Sequence, residues 1–403
     1  MGRRPRARRG TLTPVKILSL ADTRFPIERA NGLQTMATCH ALAERGHHVR
    51  LVVRPDTTRP ARDPFAFYGL PPTPRLQVDA IGGAGGSRGR RVTFLLSAIA
   101  AATGSDADIV YTRDLGLAAL LLRLPHARRP PVVYESHGIA AVVATEMPRL
   151  LGTTEPPSPA KLSRLESRER RVWNDADAYV TITSALKDDL AQRYGARNHV
   201  FVIRDGAHPP AETETRGDAR TVGYAGHLYP WKGVDVFVRA LGLARTLRGL
   251  IVGGHPGEKD RSRVDALVRE LGLQDRVTIT GLVPPAEVAP KLAPAGILVL
   301  PNTATAISER YTSPLKLFEY LWMGRPIVAS DLPSLREVVT HGESAWLVPP
   351  GDPSALAEGL GHVAGDEGLA ARLGEGALAL AARYSWAARA MHLESAFAAA
   401  RAS

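Results

Sequence analysis

The chain has 403 residues, of which 44% are hydrophobic and 23% charged, and its formal net charge is +11. This length accommodates two domains of about 200 residues each, and the composition is typical of a soluble globular protein. The single cysteine, Cys39, excludes an intramolecular disulfide and a cysteine-rich zinc site and fits a cytoplasmic protein. The longest apolar runs, 94–102 and 115–122, are shorter than the roughly 18–20 residues of a membrane-spanning helix.

Positive charge is concentrated in three places. Residues 1–13 form a basic arm that we expect to be disordered, and it is not a signal peptide because no apolar segment follows it. The other two clusters are Arg88, Arg90 and Arg91, and Arg164, Arg168, Arg170 and Arg171. They predict either peripheral contact with the anionic inner face of a membrane or an ordinary solvated surface. Nucleic acid is not an expected partner, because no nucleic-acid-binding motif accompanies them.

Short apolar runs alternate with helical or loop segments along the first 205 residues. Strands are predicted at 15–20, 49–53, 109–111, 132–134, 178–182 and 200–203, with a helix at 32–46. Such alternation predicts a doubly wound parallel sheet, since parallel strands need crossover connections. The polar, proline-containing stretch 205–220 then marks a domain boundary.

The same alternation restarts after this boundary. Strands are predicted at 222–225, 249–252, 276–279, 297–300, 326–329 and 345–348. The sequence therefore predicts an α/β fold with two Rossmann-like domains, 14–205 and 206–385, that face each other across a cleft, followed by a helix at 386–403. Ligands of such sheets bind beyond the carboxyl ends of the strands, where each candidate segment below is found.

The first candidate segment is a predicted helix N-terminus. Ser313 is a favourable N-cap and Pro314 suits the first helical position, so we predict that a helix begins at Pro314. The amides of Leu315 and Lys316 would then face an anion, with Glu319 on the same helix face one turn deeper. This arrangement suits a phosphate joined to a ribose, although an ordinary capped helix explains these residues equally well.

The second candidate segment, 222–233, runs from a predicted strand into a glycine loop before a helix. Gly226 permits close approach of the backbone, and Lys232 can bind a phosphate as a point charge. A glycine turn with an exposed lysine is the alternative. The third candidate, His137, follows the predicted strand 132–134 on the cleft side, where it is either functional or structural.

The fourth candidate segment is the first strand-to-helix turn. Asn31 fits an N-cap position there and is followed by Gly32 and Gln34. The turn lacks the G-x-G-x-x-G fingerprint, which disfavours a dinucleotide-dependent oxidoreductase. Two Asp-x-Asp triplets, 106–108 and 175–177, each precede a predicted strand and are expected to be acidic turns instead of metal sites.

Together the four segments resemble the retaining, nucleotide-sugar-dependent glycosyltransferases of family 4, which have the GT-B fold. The resemblance extends from Ile17 to the segment 384–386 and is densest over 222–350. It implies transfer of a sugar from a nucleoside-diphosphate sugar (UDP favoured, GDP as the alternative) to an acceptor hydroxyl with retention of configuration. It implies no metal and no cofactor beyond this co-substrate, and a last helix that packs back on the N-terminal domain.

The resemblance also assigns roles to residues. Glu319 would accept hydrogen bonds from the donor ribose, and the amides of Leu315 and Lys316 would hold the phosphate and the donor sugar. Lys232 would contact the diphosphate and His137 the transferred sugar, so His137, Lys232 and Glu319 are the candidate catalytic residues. The other predicted contacts are Gly32, Gly226, His227 and Pro314 for the donor, Gly254, Leu282 and Val283 beside the base, and Asn31 and Gln34 on the acceptor side.

Two positions depart from the family pattern. The family's first glutamate falls at Tyr311, eight residues before Glu319, and its usual arginine falls at His227, which lacks the guanidinium fork. Donor-sugar recognition is therefore open, as is the acceptor, which is a saccharide, a lipid-linked molecule or a small molecule in polysaccharide, glycolipid or glycosylated-metabolite biosynthesis. The alternatives are a catalytically silent GT-B protein that binds a nucleotide and a nucleotide-sugar epimerase.

Overall fold

The computed structural model describes residues 13–58, 60–82, 87–152, 155–210, 217–255 and 259–403. The predicted basic arm, 1–13, lies outside the described residues except for its last one, and the side chain of Arg88 also lies outside them. In the described ranges, no helix combines the length and the apolar character that crossing a membrane requires.

The first sheet has seven parallel strands in the order β3-β2-β1-β4-β5-β6-β7. Its strands are β1 (Lys16–Arg24), β2 (His48–Arg54), β3 (Leu76–Ala80), β4 (Ile109–Thr112), β5 (Val132–Ser136), β6 (Ala178–Thr181) and β7 (Val200–Val202). Its helices are α1 (Ala30–Glu44), α2 (Pro64–Tyr68), α3 (Ser87–Gly104), α4 (Leu115–Leu121), α5 (Ala140–Leu150), α6 (Pro159–Asp175) and α7 (Ser184–Tyr194). The edge strand β3 was not predicted, because only its first residue, Leu76, is buried and its residues form no apolar run.

The second sheet has six parallel strands in the order β10-β9-β8-β11-β12-β13. Its strands are β8 (Asp218–Ala225), β9 (Arg248–Val252), β10 (Val277–Ile279), β11 (Ala295–Leu300), β12 (Ile327–Ser330) and β13 (Trp346–Val348). Its helices are α8 (Val234–Leu243), α9 (Lys259–Glu270), α10 (Val288–Leu292), α11 (Ala306–Arg310), α12 (Leu315–Met323), α13 (Pro333–Arg336), α14 (Pro353–Gly365) and α15 (Glu367–Ala381). The predicted doubly wound parallel architecture is confirmed.

Each sheet is buried on both faces by helices, which explains why most of its strands contain apolar runs. In β1, for example, Ile17 packs into the core under α1, whereas its neighbour Leu18 packs into the core on the opposite face with Phe94 of α3. Successive strand residues point to opposite faces, so a strand between two helical layers needs apolar residues at both alternating positions.

The last helix, α16 (Trp386–Ala402), lies on the N-terminal domain against α1. Ala390, Leu393 and Phe397 of this helix join the core that contains β1 and β2. Its alanine side chains are small and permit close packing, yet its buried face also carries Arg389. Helix α16 therefore places the charged side chain of Arg389 in the interior of the first domain.

Two predicted helix starts are wrong. Helix α12 begins at Leu315, with Pro314 as an extended cap residue (φ −75°, ψ 118°). Ser313 does not cap it, because its Oγ accepts the backbone N–H of Asp205 at 3.0 Å. Helix α1 begins at Ala30, so Asn31 lies inside its first turn and not at the N-cap.

Candidate active site

A cavity of about 1100 Å³ lies between the two sheets, slightly larger than the usual upper limit of about 1,000 Å³ for small-molecule sites. The predicted site residues that line it are Asn31, Gln34, His137, Gly226, His227, Lys232, Leu282, Val283, Pro314, Leu315, Lys316 and Glu319. Gly32 and Gly254 do not line it. A Cβ on Gly32 would lie 2.4 Å from Tyr68 Oη, so this glycine is packed against α2 instead.

The N-terminus of α12 forms one wall of the cavity. Its first turn presents the amides of Leu315 and Lys316, which have no acceptor within the helix. One turn deeper, Glu319 Oε2 lies 2.9 Å from Lys316 Nζ, and both side chains are about one quarter exposed. The wall thus combines two backbone donors, a cation and a carboxylate within one helical turn.

Lys232 lies beside this wall, at the end of a 3-10 turn that precedes α8. Burial, together with the charge of Lys316, lowers the pKa of Lys232 to about 8. The turn depends on Gly233, which has φ 71° and would bring a Cβ to within 1.7 Å of the Pro301 carbonyl oxygen. Two lysines therefore converge where an anion would relieve their mutual repulsion.

His227 occupies the position of the family's usual arginine and also lines the cavity. Its ring stacks on Tyr229 with the ring centroids 5.0 Å apart, and Tyr229 stacks on Trp231 at 4.6 Å. The imidazole is therefore held at one end of an aromatic stack.

His137 follows β5 directly and is tied to a buried carboxylate. Its Nε2 lies 2.5 Å from Oε1 of Glu135, which is fully buried. The same carboxylate accepts hydrogen bonds from Gln34 Nε2 at 2.8 Å, from Arg389 Nη2 at 2.5 Å and from the Tyr111 hydroxyl. Four donors from four different elements thus meet at Glu135.

The charges of this cluster fix the protonation of its members. Burial alone would raise the pKa of Glu135, but Arg389 and His137 outweigh burial and hold this pKa below its usual value. Burial lowers the pKa of His137, and Arg113 lowers it further against the opposing effect of Glu135. At neutral pH a neutral His137 therefore donates a hydrogen bond from its Nε2–H to an ionised Glu135.

Tyr311, at the position of the family's first glutamate, is engaged in a contact between the domains. Its hydroxyl donates a hydrogen bond to Asp189 Oδ2 on α7 at 2.8 Å, and Arg310 Nε donates to the same oxygen at 2.7 Å. The tyrosine ring also borders Gly138, one residue beyond His137. This position therefore supplies the cavity with a ring instead of a carboxylate.

A second cavity, of about 210 Å³, adjoins the large one on the N-terminal domain and shares Asn31, Gln34 and Arg113 with it. Its lining is mostly polar and includes the carboxylates of Asp22 and Asp114. Hydroxyl, amide and carboxylate groups in such a small space suit a hydroxylated molecule.

The two Asp-x-Asp triplets lie in turns that hold other parts of the sheet. Asp108 Oδ2 accepts the backbone N–H of Lys16 at 2.8 Å, and Asp177 Oδ2 accepts Arg129 Nη1 at 2.7 Å. Within the described ranges, no group of three or more histidine, cysteine, aspartate or glutamate side chains is placed to hold a metal ion.

Two family models match the chain in succession, one for each half. The model described as glycosyl transferase 4-like domain matches residues 32–206, and the model described as glycosyl transferases group 1 matches residues 219–366. The chain belongs to the group 1 glycosyltransferases. The predicted family is thereby confirmed.

Curated relatives of this glycosyltransferase chain match part of their length. The D-inositol 3-phosphate glycosyltransferase of Nocardia farcinica is 30% identical over 280 residues, which cover 64% of this chain and 59% of that protein. The protein of the same name from Xylanimonas cellulosilytica is 31% identical over 238 residues, 54% of this chain and 56% of that protein. The chain thus spans somewhat more than half the length of these relatives.

Solved structures share the fold of the glycosyltransferase chain. Anabaena HepE, solved in complex with UDP and glucose, has a TM-score of 0.72 at 19% identity and covers 95% of this chain and 99% of its own. Sucrose-phosphate synthase from Thermosynechococcus elongatus has a TM-score of 0.73 at 20% identity, with 94% and 98% covered. The predicted GT-B fold is confirmed.

The groups that surround His137 in this glycosyltransferase were not predicted from the sequence. Glu135 lies two residues before the histidine on β5, and Arg389 lies on the buried face of the alanine-rich α16. A charged residue on the apolar face of a helix is a recognisable signal for a buried partner. Its partner could not be named from that signal alone.

Proposed function

We propose that the protein transfers a sugar from a nucleoside-diphosphate sugar, with UDP as the favoured nucleotide, to an acceptor hydroxyl with retention of configuration. The observation that carries this proposal is the convergence of the α12 N-terminus, Lys232 and Glu319 on one cavity. In this assignment the amides and the lysine bind the diphosphate, and Glu319 accepts the ribose hydroxyls. The UDP bound to Anabaena HepE, a neighbour of the same fold, supports the choice of nucleotide.

The chemical step requires stabilisation of the leaving diphosphate. The bond between the anomeric carbon and the β-phosphate oxygen breaks, and the bond to the acceptor oxygen forms on the same face of the sugar. The acceptor proton passes to the leaving diphosphate. Lys232 and the α12 amides are preorganised for the charge that develops, and loss of one such donor costs about 3–4 kcal/mol of barrier lowering.

We infer that these protein cations replace a metal ion. Lys232 and Lys316 both face the position proposed for the diphosphate, so the leaving group is neutralised without a bridging divalent ion. Full transfer in the presence of EDTA is the expected result, and activity that EDTA abolishes and Mg²⁺ or Mn²⁺ restores would refute this part of the proposal.

The acceptor is proposed to be a hydroxylated molecule that enters the smaller cavity. Asp22, Asn31 and Gln34 would orient its hydroxyls toward the donor site. The names of the curated relatives favour a phosphorylated cyclitol or a similar small molecule, and a saccharide or the headgroup of a lipid-linked saccharide would use the same contacts. The site of action is then the cytoplasm or the cytoplasmic face of a membrane.

Peripheral contact with an anionic membrane is proposed for the outer face of α3. Val92 and Leu96, one turn apart, are 57% and 64% exposed, and Arg90 and Arg91 flank them. Arg91 Nε lies 3.4 Å from Oδ2 of Asp22, which lines the smaller cavity. An acceptor held in a bilayer would thus lie next to the cavity that receives it, with about 1 kcal/mol from each arginine near the lipid surface.

Vesicle sedimentation tests this contact. Binding to vesicles with phosphatidylglycerol but not to pure phosphatidylcholine is expected, with a loss of at least tenfold when Val92 and Leu96 are both changed to serine. The matched control is Leu243→Ser on α8, where an equally exposed leucine (59%) belongs to the other domain. Equal binding by the wild type, the double variant and the control would refute the proposed membrane contact.

The main experiment is a panel of nucleotide sugars, first for protection against thermal unfolding and then for donor turnover with candidate acceptors. A ligand at 100 times its dissociation constant adds about 2.7 kcal/mol, which is readily measured. Lys232→Ala and Glu319→Ala should each reduce transfer at least 100-fold, and the product anomer is assigned by NMR. Near-wild-type transfer by both variants would refute the assignment of the site.

A catalytically silent nucleotide-binding protein is the second candidate, favoured by the use of Tyr311 in a contact between domains. The same panel separates the two functions. Nucleotide binding without turnover of any donor, with or without acceptor, would support the silent protein. Release of nucleoside diphosphate that depends on an acceptor would support the transferase.

A further inference from the structure

Arg389 projects from α16 into the interior of the N-terminal domain and is only 2% exposed. Its Nε donates to Thr38 Oγ1 at 3.1 Å, and its Nη1 donates to the carbonyl oxygens of Ile203 at 3.1 Å and Arg204 at 2.9 Å. Its Nη2 donates to Glu135 Oε2 at 2.5 Å. The guanidinium therefore joins the last helix, the segment that connects the domains and the carboxylate that contacts His137.

We propose that Arg389 is a positioning residue that keeps Glu135 ionised and thereby fixes His137 with its proton on Nε2. The geometry of the chain Arg389–Glu135–His137, with contacts of 2.5 Å at both steps, carries this proposal. Its consequence for sugar transfer rests on the proposed function, in which His137 contacts the transferred sugar.

The charge of the buried Glu135 carboxylate determines whether it can donate or only accept a hydrogen bond. An ionised Glu135 is only an acceptor, so the neighbouring ring nitrogen must carry the hydrogen, and Nδ1 remains as the unprotonated nitrogen. Without a buried cation, Glu135 would gain a proton or draw one onto His137, because an isolated buried carboxylate is costly. Arg389 therefore controls both the charge of the Glu135–His137 pair and the tautomer of the imidazole.

Other contacts hold Arg389 in this role. Asp205, which is buried and follows the two linker carbonyls, has Oδ1 3.6 Å from Arg389 Nη1. Burial raises the pKa of Asp205, and Arg389 opposes that rise. The Tyr111 hydroxyl lies 3.3 Å from Arg389 Nη2. Because Arg389 lies on α16 and donates to the linker carbonyls, it connects the geometry at His137 to the segment between the two domains.

The charges around His137 determine how the test is interpreted. Titratable or charged groups surround the Glu135–His137 pair from β4 and its following loop, from the linker, from α16 and from across the cavity: Tyr111, Arg113, Asp205, Arg389, Lys232 and Lys316. In the described structure, only Glu135 contacts the ring within hydrogen-bonding distance. Removal of Glu135 and removal of its cation should therefore shift the titration of His137 in opposite directions.

The test is an NMR titration of the imidazole nitrogens in protein whose histidines carry ¹⁵N. The signals of His137 are assigned as those that are missing in His137→Asn. The wild-type ring should show the neutral tautomer with hydrogen on Nε2. Arg389→Met should raise the apparent pKa of the Glu135–His137 pair by at least one unit, because the pair then takes up the proton that Arg389 excluded. Glu135→Gln should lower the pKa of His137, because the imidazolium loses its carboxylate. The acid limb of the transfer rate should move in the same directions.

Arg129→Met is the matched control. This buried arginine pairs with Asp177 at the opposite end of β5, with Nη1 2.7 Å from Oδ2. The control should lose stability but leave the titration of His137 unchanged. If Arg389→Met does not fold, Arg389→Gln takes its place, because its amide can still donate to the linker carbonyls but carries no charge, and it should raise the apparent pKa of the Glu135–His137 pair in the same direction.

An unchanged titration of His137 in folded Glu135→Gln or Arg389→Met, or equal shifts in the Arg129→Met control, would overturn the inference. The NMR signals do not depend on turnover. If they shift as expected in a protein that transfers no sugar, the result supports the positioning role of Arg389 and counts against the proposed function.

Discussion

Lys316 Nζ lies 2.9 Å from Glu319 Oε2, across a single turn of α12. This ion pair occupies the carboxylate that is proposed to accept the ribose hydroxyls. The pair engages only Oε2, and the two oxygens of a carboxylate offer about four acceptor positions, so Glu319 can accept ribose hydroxyls while Lys316 stays beside it. The groups proposed to bind the ribose and the diphosphate are therefore neighbours on one helical turn.

The first prediction concerns the ribose. Glu319→Ala should weaken binding of UDP by about 1.5–3 kcal/mol, the loss of hydrogen bonds to a charged group. Binding of 2′,3′-dideoxy-UDP should not weaken in the variant, because no hydroxyl meets the carboxylate and the substitution leaves Lys316 without its competing partner beside the diphosphate. Calorimetry with both nucleotides measures the difference. Glu309→Gln, two residues out of register with the family's first glutamate, is the control and should bind both nucleotides normally. A loss of affinity for dideoxy-UDP equal to that for UDP would contradict the role of Glu319.

The second prediction concerns protons taken up with the nucleotide. The pKa of Lys232 is lowered to about 8 by burial and by Lys316, and a diphosphate beside it would raise that pKa again. Binding of UDP near pH 8 should therefore take up a fraction of a proton, and affinity should fall as the pH rises above 8. Calorimetry in buffers of different ionisation enthalpy counts the protons. Lys232→Met should abolish the uptake, and a pH-independent affinity in the wild type between pH 7 and 9 would rule out this linkage.

The sequence predicts an element correctly where a local pattern of residues determines the structure. The strand β5 is an apolar run buried on both sides, and the residue after its carboxyl end, His137, faces the cleft for reasons of topology. The edge strand β3 lacked such a run and was missed. The start of α12 was misplaced because Ser313 is used in a contact with Asp205, more than a hundred residues away.

The buried cluster was beyond sequence analysis for a related reason. Glu135 and Arg389 are separated by 254 residues, and no periodicity links β5 to the last helix. Each residue alone signals a buried charge that needs a partner. Only the packing of α16 on the N-terminal domain brings the two together.

The third prediction concerns the position of the family's first glutamate. Tyr311→Phe should cost about 1–2 kcal/mol of stability through loss of the hydrogen bond to Asp189. Tyr311→Glu, which restores the family residue, should cost more, because its carboxylate would face that of Asp189. The double variant Tyr311→Glu with Asp189→Asn should recover part of the loss. Urea unfolding of the four proteins measures these differences, and a Tyr311→Glu variant as stable as Tyr311→Phe would show that Asp189 does not constrain this position.

The fourth prediction concerns Glu169, which is fully buried on α6 and accepts the backbone N–H of Ala140 at 2.8 Å, at the start of α5. Burial raises its pKa to about 7 from an ordinary value of 4.5. The folded state therefore holds the proton more tightly than the unfolded state. The stability that this group contributes is present below about pH 4.5 and is lost as the pH rises through 7. The difference corresponds to about 3 kcal/mol.

Glu169→Gln should remove this loss, because the amide oxygen still accepts from Ala140 and the amide nitrogen can donate to Tyr194, whose hydroxyl lies 3.1 Å from Glu169 Oε2. Relative to the wild type, the variant should gain stability in urea unfolding from pH 5 to pH 7, and the gain should level off by pH 8. Glu358→Gln, an exposed glutamate on α14, is the control and should show no such trend. If the difference between Glu169→Gln and the wild type is constant over this pH range, Glu169 is ionised in the folded protein throughout, and the α5 segment beside His137 is held by a carboxylate instead of a carboxylic acid.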